Sequence, residues 1–334
     1  MTKYFIGIGF CLIALLGKTQ SAEMDRPYEK YDTLLSPYAD LGYNTAPMRF
    51  KYPFSSEFDK IHVRNNSNVV LGLGFAYKWF NLRLGINVPG NLRPSYKYGP
   101  TEYYDFGFDF SLKQFFFDAD LHIYNGYTYK NAYKWNDTLN VQEPNLYNQK
   151  LGALSLSLNT WHFWNKDFKL AAFRGKTAAY KQDISSFYLK YSMSLYGVGA
   201  ENGIIPKELV DTAQTRTEAN TILSFDLGVI PGYGYVKRID QWQIGIMAGL
   251  GAVVQSKAYI TPDLSRGFLG LAFRYDIRFV AGLNRPHYFL MFVTDFDNKS
   301  IAFNDLKYRQ TYYSMKLSGG YRFHKKRKKT PKDA

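Results

Sequence analysis

The chain carries one cysteine in 334 residues, Cys11, and it sits in an apolar stretch close to the first methionine. That stretch is laid out as a secretory signal peptide over residues 1–22. Lys3 supplies a positive start, Tyr4 to Leu16 is mostly apolar, and small or polar residues from Gly17 to Ala22 precede Glu23. Cleavage near Gln20 or Ala22 removes Cys11, so a mature chain of about 310 residues has no disulfide and no thiol nucleophile. Gly9 and Phe10 are poor neighbours for a lipid-modified cysteine, and acylation is not expected.

Long apolar runs are also missing. Beyond Leu16 no segment approaches the roughly twenty continuous apolar residues that a membrane helix needs, which excludes a helical transporter. The mean hydropathy of -0.32 leaves another kind of membrane protein open, because a barrel strand exposes apolar groups only on alternate residues. Catalytic signatures are scarce too. There is no G-x-S-x-G element, and Gly72, Gly74, Gly245, Gly249, Gly251, Gly319 and Gly320 lack the lysine and hydroxyl residue of a phosphate loop.

Aromatic residues and alternation are abundant, with 29 Tyr and 26 Phe. In the last segment Tyr313, Met315, Leu317, Gly319, Tyr321 and Phe323 share one face, opposite Ser314, Lys316, Ser318, Gly320 and Arg322. Near the start Val69, Leu71, Leu73, Phe75, Tyr77 and Trp79 oppose Gly72, Gly74, Ala76 and Lys78. A tight reversal then leads to Leu82, Leu84, Ile86 and Val88, opposite Asn81, Arg83, Gly85 and Asn87. Tyr104 to Leu112 and Phe115 to Ile123 form a second hairpin pattern, and similar alternation recurs to the end.

Charge on one face and apolar groups on the other predict an all-β fold: a transmembrane antiparallel outer-membrane β-barrel of about 12 strands, or 14 if the N-terminal segment adds a pair. Residues 23–67 read as a plug-like or irregular segment with early strands as an option, 68–323 as the barrel and 324–334 as a basic tail. Asn125 to Gln149, placed outside the cell, and Glu201 to Asn220 are the long connections, and Asp295 to Lys299 reads as a turn. A weak strand is expected over Phe168 to Phe173. This expectation carries a conflict: turns counted forward and turns counted backward fall out of phase near Gly175 to Asp183.

Of the formal net charge of +14, part lies in Lys325, Lys326, Arg327, Lys328, Lys329 and Lys332. That tail reads as a solvated or phosphate-facing appendage and not as a nucleic-acid site, because no stacking groove lies beside it. The interior of the barrel is expected to carry Lys78, Arg83, Asp105, Asp109, Asp118, Asp120, Lys190, Asp226, Arg274, Asp276, Arg278, Lys316 and Arg322. Both signs recur, which fits a self-neutralised lumen or a narrow polar conduit.

Asp105, Asp109, Asp118 and Asp120 share a hairpin, an arrangement that also suits a divalent cation or acid–base chemistry. His122 lies beside them, but no serine partner can be placed, so no catalytic residue, metal ligand or cofactor is assigned. Trp79, Phe80, Tyr103, Tyr104, Trp161, Trp164, Tyr321 and Phe323 are expected in interfacial girdles.

Two strings, Asn68-Val69-Val70-Leu71-Gly72-Leu73-Gly74-Phe75-Ala76-Tyr77-Lys78 and Pro231-Gly232-Tyr233-Gly234-Tyr235, resemble the Bacteroidota outer-membrane barrel proteins grouped as domain of unknown function 4421. The resemblance runs roughly from Asn68 to Phe323 and implies a cell-envelope barrel with no catalytic assignment. Three readings follow, in this order. The first is a non-enzymatic structural or accessory component of a transport, secretion or assembly complex, in contact with outer-membrane lipid and envelope protein partners. The second is a small-solute channel, and the third a lipid-modifying enzyme built around His122, Asp118 or Asp120.

Overall fold

The computed structural model describes residues 26–55, 58–66, 69–88, 90 and 92–323; the signal peptide expected at 1–22 and the basic tail at 324–334 lie outside them. The strands are β1 (Tyr28–Lys30), β2 (Ser36–Thr45), β3 (Met48–Lys51), β4 (Lys60–Arg64), β5 (Val69–Tyr77), β6 (Phe80–Asn87), β7 (Glu102–Leu112) and β8 (Phe115–Tyr129). They continue with β9 (Leu146–Phe163), β10 (Ala178–Tyr180), β11 (Ile184–Gly199), β12 (Thr221–Ile239), β13 (Trp242–Ile260), β14 (Ser265–Asn284), β15 (Tyr288–Ala302) and β16 (Lys307–Tyr321).

Twelve of them form an antiparallel ring. It runs β2, β5, β6, β7, β8, β9, β11 to β16, and closes where Leu317 of β16 stands opposite Leu41 of β2. Closure removes the free strand edges that a membrane does not tolerate, except between β14 and β15, whose ladder runs only from Asn284↔Phe289 to Asp276↔Asp297. The first ring strand comes from the N-terminal segment, where Tyr38, Asp40 and Asn44 point inward between outward Ala39, Leu41 and Tyr43.

Side-chain direction follows the two-residue period. Leu71, Leu73, Leu84, Ile86, Leu227, Val229, Ile244, Ile246, Leu290, Phe292, Met315 and Leu317 are exposed on the outside, whereas Asp40, Arg83, Asp105, Asp226, Arg274 and Ser318 are buried within. The apolar belt therefore faces outward and the charge inward, the reverse of a water-soluble protein.

Three two-residue turns, at Lys78, Lys113 and Asp240, carry a left-handed first residue with φ of 54°, 53° and 50°. Such a conformation matches the twist of a hairpin. These turns share one end of the barrel with both chain termini, here called the terminal end. The longer connections 88–101, 130–145 and 200–220 lie at the other, the loop end.

Two expectations are corrected. Phe168 to Phe173 is not a strand: it includes a helical turn, Leu170–Phe173, within the single connection between β9 and β11, and removing the false strand restores the phase of the turns. Asp295 to Lys299 is not a turn but the middle of β15, where its charges alternate with outward residues and face the lumen.

Candidate functional site

The connection between β9 and β11 does not loop outside the barrel; it folds back into it. Arg174 bonds Asp109 of β7 at 2.6 Å and Asp118 of β8 at 3.2 Å. On the far wall, Gln243 of β13 donates to the carbonyls of Ala172 and Phe173 at 2.9 and 2.8 Å. β7 and β13 stand on opposite sides of the ring, so a segment that holds both crosses the lumen.

Its sequence suits this position. Phe168, Leu170, Phe173 and Tyr180 pack on Phe116, Trp161, Phe163, Tyr188 and Met247 of the inner wall, and Gly175 reverses the chain at φ 73°. β10 within the segment pairs with β1, so the N-terminal stretch braces the same plug.

Arg322 locks the plug from the C-terminal side. Its guanidinium is 1% exposed and donates to the carbonyls of Gly175 and Lys176 at 2.6 and 3.1 Å and to Asn284 Oδ1 at 2.8 Å. It also lies 4.2 Å from the Tyr31 ring. The residue expected as a lumenal charge is therefore a clamp on the plug.

The loop end is covered by β3 and β4. β3 pairs with β16 along Lys51↔Lys307 to Met48↔Gln310, and β4 pairs with β8 at Val63↔Tyr129 and Arg64↔Thr128. Four ring strands separate β16 from β8 on the shorter side, so this hairpin bridges the mouth. An apolar core that includes Phe50, Val63, Tyr127, Tyr129, Ile204, Leu209 and Tyr308 fills the space beneath it. Tyr129 donates to the Ile204 carbonyl at 2.8 Å, and Tyr52 donates to the Asp211 carboxylate. Burial and the adjacent carboxylate push the Tyr52 hydroxyl up to about 12, so it remains a donor across the physiological range.

Between plug and lid lies a polar chamber of about 170 Å³. Its wall is an ion-pair network. Arg83 grips Asp40 through two parallel bonds, Nε to Oδ2 at 2.6 Å and Nη2 to Oδ1 at 2.7 Å, and also bonds Asp105. Asp105 accepts from Tyr103 at 2.8 Å and Asn44 at 3.1 Å, and the Tyr103 hydroxyl meets His122 Nδ1 at 2.9 Å.

A second group joins Arg174, Asp109 and Asp118 to Arg278, which bonds Asp295; Asn81 and Asn159 donate to Asp109 and Asp118 at 2.7 and 2.9 Å. In a third, Arg274 bonds Asp226, Lys190 stands 3.5 Å from Asp276, and Lys299 lies 3.6 Å from Asp297 while donating to Ser157 at 2.8 Å. Buried pairs of this kind add little net stability, because desolvation offsets attraction, but removing one partner strands the other.

The structure therefore brings together Arg83, Asp105, Asp109, Asp118, Lys190, Asp226, Arg274, Asp276 and Arg278. Asp120 and Lys316 also line the chamber, neither side chain making a hydrogen bond or ion pair to another described residue. Lys78 does not join them: it is exposed in the β5–β6 turn, because the reversal begins one residue before the alternation would carry it inward. The four hairpin carboxylates are engaged differently from a metal cluster, since Asp105 is held by Arg83 and Asp109 and Asp118 by Arg174. No group of three or more potential ligands is arranged for a metal ion among the described residues.

Several members escaped the sequence reading. Asp40 lay in the segment read as irregular, Asp295, Asp297 and Lys299 in the supposed turn, and Arg174 and Lys176 just past the supposed strand, where the turns fell out of phase. Alternation with Leu41 and with Val293 was the signal for the first two groups, whereas nothing in the local pattern announces a segment that re-enters the lumen. Of the girdle aromatics, Trp79, Trp164, Tyr321 and Phe323 are exposed at the terminal end with Trp242. Trp161 is instead buried under Lys190 and Arg278, 5.1 and 5.4 Å from its ring, and Tyr103 faces the chamber.

Fold and lumen together define a closed, plugged membrane β-barrel. The chain belongs to the family described as Domain of unknown function (DUF4421), whose profile matches residues 41–323. No curated protein matches it. Among solved structures it is similar to the outer membrane protease OmpT from Escherichia coli, at 10% identity and a TM-score of 0.40 over 88% of this chain and 98% of that one. It is also similar to an outer membrane channel from Pseudomonas putida F1, at 9% identity and a TM-score of 0.38 over 92% and 100%. A third is the translocator domain of the autotransporter NalP from Neisseria meningitidis, at 8% and 0.37 over 87% and 89%.

Proposed function

We propose that the protein is an occluded outer-membrane β-barrel that serves as a non-enzymatic structural or accessory component of the envelope, engaging partner proteins through its ends. The observation that carries this reading is the re-entrant connection, which holds β7 and β13 at once through Arg174 and Gln243 and so fills the lumen. The outward apolar belt and the tryptophans of the terminal end support contact with outer-membrane lipid and a periplasmic terminal end. The leader and the short turns at that end agree with this orientation. Mild solubilisation tests the reading: a stoichiometric envelope partner is expected, and repeated recovery of a bare barrel contradicts it.

A small-solute channel is the second reading, favoured by the mixed charges of the chamber wall. It requires the plug to leave, since Arg174 and Lys176 line both the chamber and the wider cavity at the terminal end. His122 gives the lipid-modifying reading no support: its ring stacks on Tyr103 within the chamber, away from the lipid-facing surface.

A further inference from the structure

The terminal end opens into a second cavity, of about 670 Å³, between the plug and the wall of β5 to β7. That volume falls within the ~300–1,000 Å³ of ligand pockets. Its lining is cationic: seven lysine and arginine side chains stand against three carboxylates, whereas the chamber on the other side of the plug carries seven of each sign.

The cations converge from three separate parts of the chain. Lys78 and Lys113 stand in the β5–β6 and β7–β8 turns, Arg26 and Lys30 on the N-terminal stretch that includes β1, and Lys169, Arg174 and Lys176 on the plug. Lys169 Nζ donates to the Lys113 carbonyl at 2.8 Å and so ties plug to rim. Lys176 Nζ donates to the Tyr38 hydroxyl at 2.8 Å and lies 4.1 Å from the centre of that ring. Lys30, Lys78 and Lys113 are exposed; Arg26, Lys169 and Lys176 are half-buried.

Carboxylates of the protein do not neutralise this group. Asp109 is held by Arg174, and Asp32 and Asp167 form no ion pair with another described residue. Six of the seven cations are thus left without a carboxylate partner among the described residues. The rest of the sequence does not supply the missing charge: residues 324–334 hold six cations against Asp333, and residues 23–25 offer only Glu23 and Asp25. Nor do the turns ask for lysine. Their left-handed first residues, at φ 54° and 53°, suit Gly, Asn or Asp, and the third such turn has Asp240. Gathering like charges costs free energy through mutual repulsion, and a cleft of one sign concentrates counter-ions of the other.

We propose that this cavity is a binding site for a phosphate-bearing ligand that enters from the terminal end. The kind of cation decides the class. Five of the six unpaired ones are lysines, compact ammonium charges that meet a tetrahedral, multiply charged phosphate from any direction. Planar carboxylates are read best by the guanidinium fork, which only Arg26 offers here. A soluble phosphate compound and the headgroup of a membrane lipid share this chemistry. A ligand that engages Lys169 of the plug together with Lys78 and Lys113 of the rim binds the closed lumen and stabilises it.

Titration calorimetry with inorganic tripolyphosphate tests the proposal on the full chain in uncharged detergent, with folding verified by heat-modifiable mobility. A saturable site is expected, weakened about tenfold or more in the Lys78→Gln, Lys113→Gln double variant. Lys307→Gln, which removes an exposed cation at the loop end, is expected to bind as the unaltered protein does. Native mass spectrometry after reconstitution with phosphatidylglycerol separates the two sources, and either answer supports a phosphate site. A lipid retained by the unaltered protein and lost from the double variant is a headgroup ligand; no such lipid assigns the site to a soluble compound. Absence of tripolyphosphate binding, unchanged binding in the double variant, an equal loss from Lys307→Gln, or tighter binding of hexaglutamate than of tripolyphosphate would each overturn the assignment.

Discussion

Arg174 reaches Asp109 at 2.6 Å from a segment that belongs to no strand, and this pair fastens the plug to the barrel wall. Both side chains are largely buried, at 15% and 13% exposure, and Asp118 at 2% shares the same guanidinium. Arg174→Ala leaves two carboxylates facing each other across the β7–β8 ladder without their shared cation. The expected cost is about 3–5 kcal/mol, seen as a lower midpoint of heat-modifiability and faster proteolysis within residues 164–183. An unchanged midpoint and cleavage rate would show that the plug is held by its apolar contacts and by Gln243 and Arg322 without this pair.

Arg83 joins β6 to Asp40 on β2 and Asp105 on β7, so one side chain ties three ring strands together. Its hold on Asp40 is a planar fork that a lysine ammonium does not reproduce. Arg83→Met is expected to destabilise the barrel by about 3 kcal/mol or more, and Arg83→Lys to recover only part of that loss in urea-dependent unfolding followed by tryptophan fluorescence. Full recovery with lysine would mean that charge alone, without the fork, holds the pair.

Gly72 makes room for that fork. A Cβ at this position would stand 2.4 Å from Asp40 Oδ1 and 2.6 Å from Arg83 Nη2, too close for either to stay. Gly72→Val is accordingly expected to lower the unfolding midpoint about as far as Arg83→Met, and the double variant little further, because both changes remove the same interaction. Additive losses would place the effect of Gly72 elsewhere.

The barrel itself was legible because its outward positions repeat every second residue. Tyr313 to Phe323 gave the two faces of β16 directly, and the count of about twelve strands agrees with the ring. The reading failed where one local pattern admits two physical outcomes. Phe168 to Phe173 is apolar because it is wrapped by the barrel interior, which from sequence looks the same as a short buried strand. Asp295 to Lys299 is charged because it lines a polar lumen, yet a charged stretch reads first as a surface turn. The ion-pair partners suffered most: Arg83 and Asp105 could be placed on inner faces, but Asp40 and Arg174 reach them only through ring closure and re-entry, which are long-range facts.

The central claim is that the lumen is closed by the re-entrant segment, and single-channel conductance of purified, membrane-inserted protein tests it most directly. Protein verified as folded by heat-modifiable mobility is expected to be silent. A variant whose residues 168–180 are replaced by a short Gly-Ser linker should open discrete, reproducible steps if its ring still folds. Discrete openings from the unmodified protein would contradict the account and make the charged chamber part of a conduction path.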